Sequence, residues 1–201
     1  METIKLLMNK NPLNSTSVYE LQQRIAEYED AAAYKKLFFH FFQPLKSFSY
    51  SITKSKETAE EVVSDIYIEI WARRKQLQEI EDLKMYLYIS VRNASLRRLK
   101  QTQKTSVLSL DDLEVEFASN DPDAENNIIT NELAEKIERA IESLPQQCKI
   151  IFKLAKQDKL KYKEIAQLLN ISVKTIDNQL STALKKIASV LNFPAQKHAS
   201  K

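Results

Sequence analysis

The chain has 201 residues, 30 Lys and Arg against 27 Asp and Glu, one cysteine and no glycine. A length of this order suits one or two domains. Tight hairpins and barrels draw on glycine for positive φ, so its absence argues for an all-α protein and against a β architecture. A lone cysteine excludes an intramolecular disulfide framework, and no stretch approaches the ~20 apolar residues of a membrane span.

The start, METIKLLMNKNP, has too short an apolar run for a signal peptide, so a soluble, cytoplasmic protein is expected. The net charge of +3 is uninformative, but its distribution is not. Residues 83–104 hold six Lys and Arg and no acid, and residues 144–187 hold nine lysines against three acids. Between them, residues 105–135 hold nine acids and no base. Two basic modules flanking an acidic connector point to two contacts on one polyanion.

Residues 1–16 read as a polar, irregular start. Val18, Leu21 and Ile25 then predict a short amphipathic helix. Asp30 is placed to cap the next, with Tyr34, Leu37, Phe38, Phe41 and Phe42 on its apolar side. Pro44 suits the first turn of a third helix, with Leu45, Phe48 and Ile52 inward. The helical spacing of these aromatics reads as core packing rather than a base-stacking platform. His40 and His198 are the only histidines, so no metal site is expected.

Residues 55–75 predict the clearest amphipathic helix of this half. Ser55 is its cap, and Ala59, Val62, Val63, Ile66, Ile70 and Trp71 form the buried stripe. Glu57, Glu61, Ser64, Asp65 and Ile68 lie opposite. Acids one turn apart repel by a few tenths of a kcal/mol, and the face reads equally as solvated surface or as a docking surface for a basic partner. Arg73, Arg74 and Lys75 favour the C-terminal end of the helix dipole.

A loop is expected over 76–82, then a helix over 83–104. Leu83, Leu87, Val91 and Ala94 point inward, beside Tyr86 and Ile89. Arg92, Arg97, Arg98 and Lys100 point outward. A basic helix with tyrosines can hold phosphates and stack on bases. Residues 105–127 read as a linker, in which Asp121-Pro122 breaks any helix.

Ile129, Leu133, Ile137 and Ile141 predict a further helix over 128–141. Leu144-Pro145 ends it and opens another, whose Ile150, Ile151, Leu154 and Ala155 are expected to be buried. Cys148 reads as a buried structural thiol. Residues 161–187 then predict two helices joined by a tight turn. Ala166 is the small residue where they cross. Asn170 tolerates the positive φ of the turn. Ser172 caps the second helix. Ile176 pins that helix to the first, and Val173, Leu180, Ala183, Leu184 and Ile187 complete its buried side.

The outward face of this second helix is Lys174, Thr175, Asp177, Asn178, Ser181, Thr182, Lys185 and Lys186. It places amides and hydroxyls at the front and lysines behind, as a helix entering a major groove requires. The tail after residue 191 is expected to be flexible. No Gly-rich phosphate loop, paired histidines or nucleophile–base set is present. No catalytic residue, metal or cofactor is therefore expected, and the protein reads as a non-enzyme.

Two stretches resemble the sigma-70 family, in its small extracytoplasmic-function form. Residues 144–187, LPQQCKIIFKLAKQDKLKYKEIAQLLNISVKTIDNQLSTALKKI, are similar to region 4, which reads the promoter −35 element. Residues 57–71, ETAEEVVSDIYIEIW, followed by 83–100, LKMYLYISVRNASLRRLK, are similar to region 2, which docks on the polymerase clamp and melts the −10 element. The resemblance covers about 18–104 and 130–190. The region 3 of larger members is absent, and the acidic linker stands in its place.

The resemblance implies roles residue by residue. Glu61, Ser64 and Asp65 fall on the clamp-docking face, although the family usually has Asp and Gln where Glu61 and Ser64 stand. Arg73, Arg74, Lys84, Arg92, Asn93 and Arg97, with the loop 76–82, fall where the −10 strand is held. Asp177, Asn178, Ser181 and Thr182, flanked by Lys174, Thr175, Lys185 and Lys186, fall on the −35 face. Asn170 replaces the family's common turn glycine. Asp177 stands where arginine is frequent, which points to a different −35 sequence.

The implied partners are core RNA polymerase through clamp and flap, promoter DNA, and an anti-sigma factor, often membrane-bound. The expected organisation is a flexible start (1–16), a region 2-like domain (17–104), an acidic linker (105–129), a region 4-like domain (130–190) and a flexible tail (191–201). About 30 extended linker residues reach up to ~100 Å, more than the ~70 Å of two DNA turns. The acid in the linker reads equally as a solvated tether or as a nucleic-acid mimic. The rival reading is a stand-alone dimeric helix-turn-helix regulator, which accounts for 144–187 but not for the second basic module or the acidic helix.

Overall fold

The computed structural model describes residues 15–102 and 128–190. The expectations for most of the irregular start, for the linker and for the tail lie outside these residues. So do those for the side chains of Ile129 and Leu133. Every regular element among the described residues is helical, as the missing glycine foretold. The chain divides into two units.

In the first unit, α1 (Ser15–Tyr28) starts within the stretch read as irregular. It is followed by α2 (Ala31–Thr53), α3 (Lys56–Ala72), a 3-10 turn (Arg74–Glu79) and α4 (Leu83–Thr102). Asp30 caps α2, its Oδ1 accepting the N–H groups of Ala32 and Ala33 at 2.9 Å. Ser55 caps α3 through Thr58 N–H at 3.1 Å. With no glycine to end a helix, Glu29 and Lys54 adopt positive φ, 51° and 62°, a strained choice for residues that carry a Cβ.

Pro44 does not open a third helix; it lies inside α2. Proline in a helix interior costs about 3 kcal/mol. Here the stripe of Leu37, Phe41, Leu45, Phe48 and Ile52 is buried continuously across it. Five such side chains, each worth about 1.5–3 kcal/mol on burial, outweigh the lost hydrogen bond.

α2, α3 and α4 pack mutually around Leu37, Leu45, Val63, Leu87, Tyr88 and Val91. Of the aromatics expected in the core, Phe41 and Phe48 are buried, while Tyr34, Phe38, Phe42 and Trp71 are half-buried and pack at its edge: Phe38 meets Tyr67 at 4.8 Å and Tyr34 meets Trp71 at 4.8 Å. Phe39, by contrast, is 66% exposed. The expected loop 76–82 is in part the 3-10 turn. Leu77 is buried there, and the carboxamide of the buried Gln22 donates to the Leu77 and Ile80 carbonyls, the latter at 2.7 Å. Ser49 and Ser95 share a buried hydrogen bond at 2.8 Å, joining α2 to α4.

The second unit comprises α5 (Ile128–Glu142), α6 (Gln146–Phe152), a π-helical turn (Lys153–Gln157), α7 (Tyr162–Leu169) and α8 (Val173–Val190). Pro145 sits at the N-cap of α6, one residue before its expected place. Ile137, Ile141, Leu144, Ile151, Leu154, Ile165, Leu168, Ile176, Leu180 and Ile187 form the core, with Cys148 buried among them. Two residues expected there are not. Val173 is 43% and Leu184 36% exposed. Ala155 is only half-buried.

Candidate nucleic-acid interface

The turn between α7 and α8 forms as its residues dictate. Asn170 takes the left-handed conformation at φ 57°, ψ 45°, which asparagine reaches more readily than other residues with a Cβ. Its N–H, and that of Ile171, bond to the Ala166 carbonyl. Ser172 Oγ accepts Thr175 N–H at 3.0 Å and shares a hydrogen bond with Thr175 Oγ1. Ile176 is fully buried against α7. At the start of α7, the Glu164 carboxylate accepts Lys161 N–H at 2.8 Å.

Three contacts tie α8 to the chain before it. Gln179 Nε2 donates to Gln147 Oε1 at 3.1 Å. The Cys148 thiol donates to the Gln179 carbonyl at 3.1 Å, and burial pushes its pKa up. Lys186 Nζ donates to the Ser143 carbonyl. The helix is thus held through Gln179, across from Asp177, and through Lys186 at the edge of the polar face, as a rigid reading element requires.

On that polar face Lys174, Asp177, Asn178, Ser181, Thr182, Lys185 and Lys186 are exposed. Thr175 is half-buried and engaged with Ser172. Thr182 Oγ1 donates to the Asn178 carbonyl at 3.0 Å, leaving its oxygen as an acceptor. The Asn178 carboxamide projects from the exposed side of the helix with donor and acceptor together.

In the first unit the acidic and basic surfaces lie on adjacent helices. Glu61 and Asp65 of α3 are exposed, Ser64 is half-buried, and Ile68 among them is 67% exposed. Asp65 pairs with Arg98 of α4 at 3.1 Å. Tyr86, Asn93 and Arg97 fall seven and four residues apart on an exposed ridge of α4, the spacing that stacks side chains on one helix face. Tyr88 is fully buried and so belongs to the core.

The other basic residues are differently placed. Arg73 pairs with Glu69 at 3.1 Å. Arg74 pairs with Glu29 at 2.7 Å, its guanidinium 5.2 Å from the Trp71 ring centre. Lys84 is half-buried, and its charge adds to burial in lowering the His40 pKa. Arg92 is half-buried, with its Nε enclosed and without an acceptor among the described residues. The exposed apolar Phe39 and Val173 were missed by the sequence reading; only their partners in three dimensions distinguish them from core residues. Among the described residues, no group of three or more His, Cys, Asp or Glu is placed to hold a metal ion, and no helix is long and apolar enough to cross a membrane.

Comparison with known proteins places these two units. The family model Sigma-70 region 2 matches residues 37–105, and Sigma-70, region 4 matches residues 134–187. Among solved structures, the sigma factor RpoE in complex with the anti-sigma factor NepR, from Bartonella quintana, is similar at 18% identity and a TM-score of 0.52, covering 81% of this chain and 98% of that one. CnrH in complex with the cytosolic domain of CnrY is similar at 14% identity and a TM-score of 0.49, covering 88% of this chain and 97% of that one. A search of curated proteins finds no match. The two family matches together span more than half of the chain, in the order region 2 then region 4, and the chain belongs to the sigma-70 family.

Proposed function

We propose that the chain is a promoter-specificity subunit of the extracytoplasmic-function type. It performs no catalysis itself. It docks on core RNA polymerase, reads the −35 and −10 elements of a promoter, and holds the melted strand. One observation carries this reading: a region 2-type unit and a region 4-type unit occur on one short chain, with only the segment between 105 and 134 separating the two family matches. A stand-alone regulator would use the second unit and leave the first unexplained.

Within this reading each face has a task. Glu61, Ser64 and Asp65 meet the basic clamp of polymerase, and the second unit meets the flap. The α8 face reads the −35 element, with Asn178 able to pair bidentately with adenine. The ridge of Tyr86, Asn93 and Arg97, with Lys84 and Arg92, holds the −10 strand after opening. Arg73 and Arg74, between α3 and the 3-10 turn, exchange their internal carboxylates for phosphates. An anti-sigma factor, free or membrane-bound, is the proposed inhibitor. RpoE of Bartonella quintana, in complex with its anti-sigma factor, lends that partner support by fold likeness.

The test is open-complex formation. Core polymerase with this chain should select promoters from a randomised library and make thymines near the start site reactive to permanganate. Asn93→Ala with Arg97→Ala should abolish that reactivity while leaving polymerase binding intact. Normal opening by the double variant would place the strand-holding surface elsewhere.

A further inference from the structure

Val173 is the first residue of α8 and is 43% exposed, while Ile176, Leu180, Ala183 and Ile187 of the same helix are buried. It shares a ridge with Asp177 and Ser181, at four-residue spacing, and both of those are exposed. Its backbone is fixed: Ser172 caps the turn through Thr175, and Ile176 anchors the helix from beneath. Val173 thus lies where the buried stripe of α8 meets its polar face, and the part of an aliphatic side chain left outside the core gains nothing from water.

We infer that Val173 is a specificity-determining residue that packs on the 5-methyl group of a thymine in the −35 element. This rests on the reading of α8 as the −35 recognition helix. The thymine methyl is the apolar group that the major groove presents, and small apolar side chains recognise it by contact. The N-terminal residues of a recognition helix are the ones that reach base edges. That places Val173 at the bases and leaves the other exposed apolar residues of α8, Leu184 and Val190, farther along the helix.

The neighbouring Asp177 sharpens the inference. Its carboxylate can accept from the exocyclic amine of cytosine. Four residues span about 6 Å of helix axis, and bases step by about 3.4 Å along a strand. The thymine read by Val173 therefore lies within one or two base pairs of the base read by Asp177.

The experiment uses promoter fragments that the parent chain and core polymerase select from a −35-randomised library. Each thymine of the element is replaced singly by deoxyuridine, which lacks the methyl. One position should lose about three- to four-fold in affinity, the worth of one buried methyl-sized group. Val173→Ser should bind thymine and uracil equally there, and Val173→Thr, which keeps one methyl, should fall between. The position whose preference changes in Asp177→Asn should lie within two base pairs. A parent indifferent to every replacement, or a Val173→Ser variant with undiminished discrimination, would overturn the inference alone. A parent with no −35 preference at all would overturn the reading of α8 beneath it as well.

Discussion

Asp65 on α3 and Arg98 on α4, 33 residues apart in sequence, form an ion pair at 3.1 Å. An acid on the proposed docking face therefore already holds a cation of its own unit. The two side chains are 61% and 44% exposed, and exposed pairs contribute about 0–1 kcal/mol. Asp65→Arg would set two cations side by side, and its cost should stay near 1 kcal/mol in thermal melting. Glu61→Arg should change stability by no more than about ±0.5 kcal/mol, as surface substitutions usually do. Unfolding of the first unit by either change would show that the face is structural.

Asn178 projects its carboxamide from the exposed face of α8. A bidentate pair with adenine discriminates by about 1–3 kcal/mol. Asn178→Ala should relax selection at one base of the −35 element and lower transcription from the native promoter. Unchanged preference across a −35 library would remove Asn178 from the reading face.

Lys185 and Lys186 differ in what they already hold. Lys186 donates to the Ser143 carbonyl, whereas Lys185 is exposed and makes no such contact among the described residues before α8. Lys185→Ala should weaken DNA binding about equally across sequences and reduce the salt slope by roughly one unit. Lys186→Ala should reduce it by less. Fluorescence anisotropy between 50 and 200 mM salt, the range over which phosphate contacts are most visible, reads both. An effect of Lys185→Ala that depends on base identity would contradict the phosphate assignment.

Glu142 joins α5 to the segment after it, accepting from Lys149 at 3.0 Å and Lys153 at 2.9 Å. Burial raises its carboxyl, but the two lysine hydrogen bonds outweigh burial and hold its pKa below the ordinary 4.5. A depressed carboxylate stabilises the fold above its unfolded pKa, and that contribution is lost as pH falls through the folded value. The second unit should therefore lose stability as pH falls below about 4.5. Glu142→Gln should be less stable at neutral pH and show a flatter acid limb in urea denaturation. Parallel pH profiles for parent and variant would contradict the assignment.

What could be read from the residues alone was local. Asp30, Ser55, Asn170 and Ser172 are caps and turn formers whose chemistry acts within four residues, and all four took their expected places. Pro44 misled because its local preference for a helix start competes with a buried stripe that spans it. Leu77 is a single apolar residue in RKQLQE, too few for any periodicity, and it is buried because its turn packs on α1, where Gln22, 55 residues away, bonds its carbonyl. Val173 and Leu184 fit the apolar stripe of α8, but periodicity fixes the direction of a stripe and not how much of it a neighbour covers. The polar face of α8 was legible for the same reason as its core, while the Asp65–Arg98 and Arg74–Glu29 pairs needed the tertiary fold.

Binding of the full chain to core RNA polymerase, measured for the parent and for Glu61→Arg, bears most directly on the proposed role. The parent should bind, and the bound complex should initiate transcription from a selected promoter. Glu61→Arg should melt like the parent yet lose polymerase affinity by at least ten-fold, since a like-charge contact against a basic clamp costs several kcal/mol. A parent that binds its DNA tightly but fails to bind core polymerase would contradict the account and favour a stand-alone regulator.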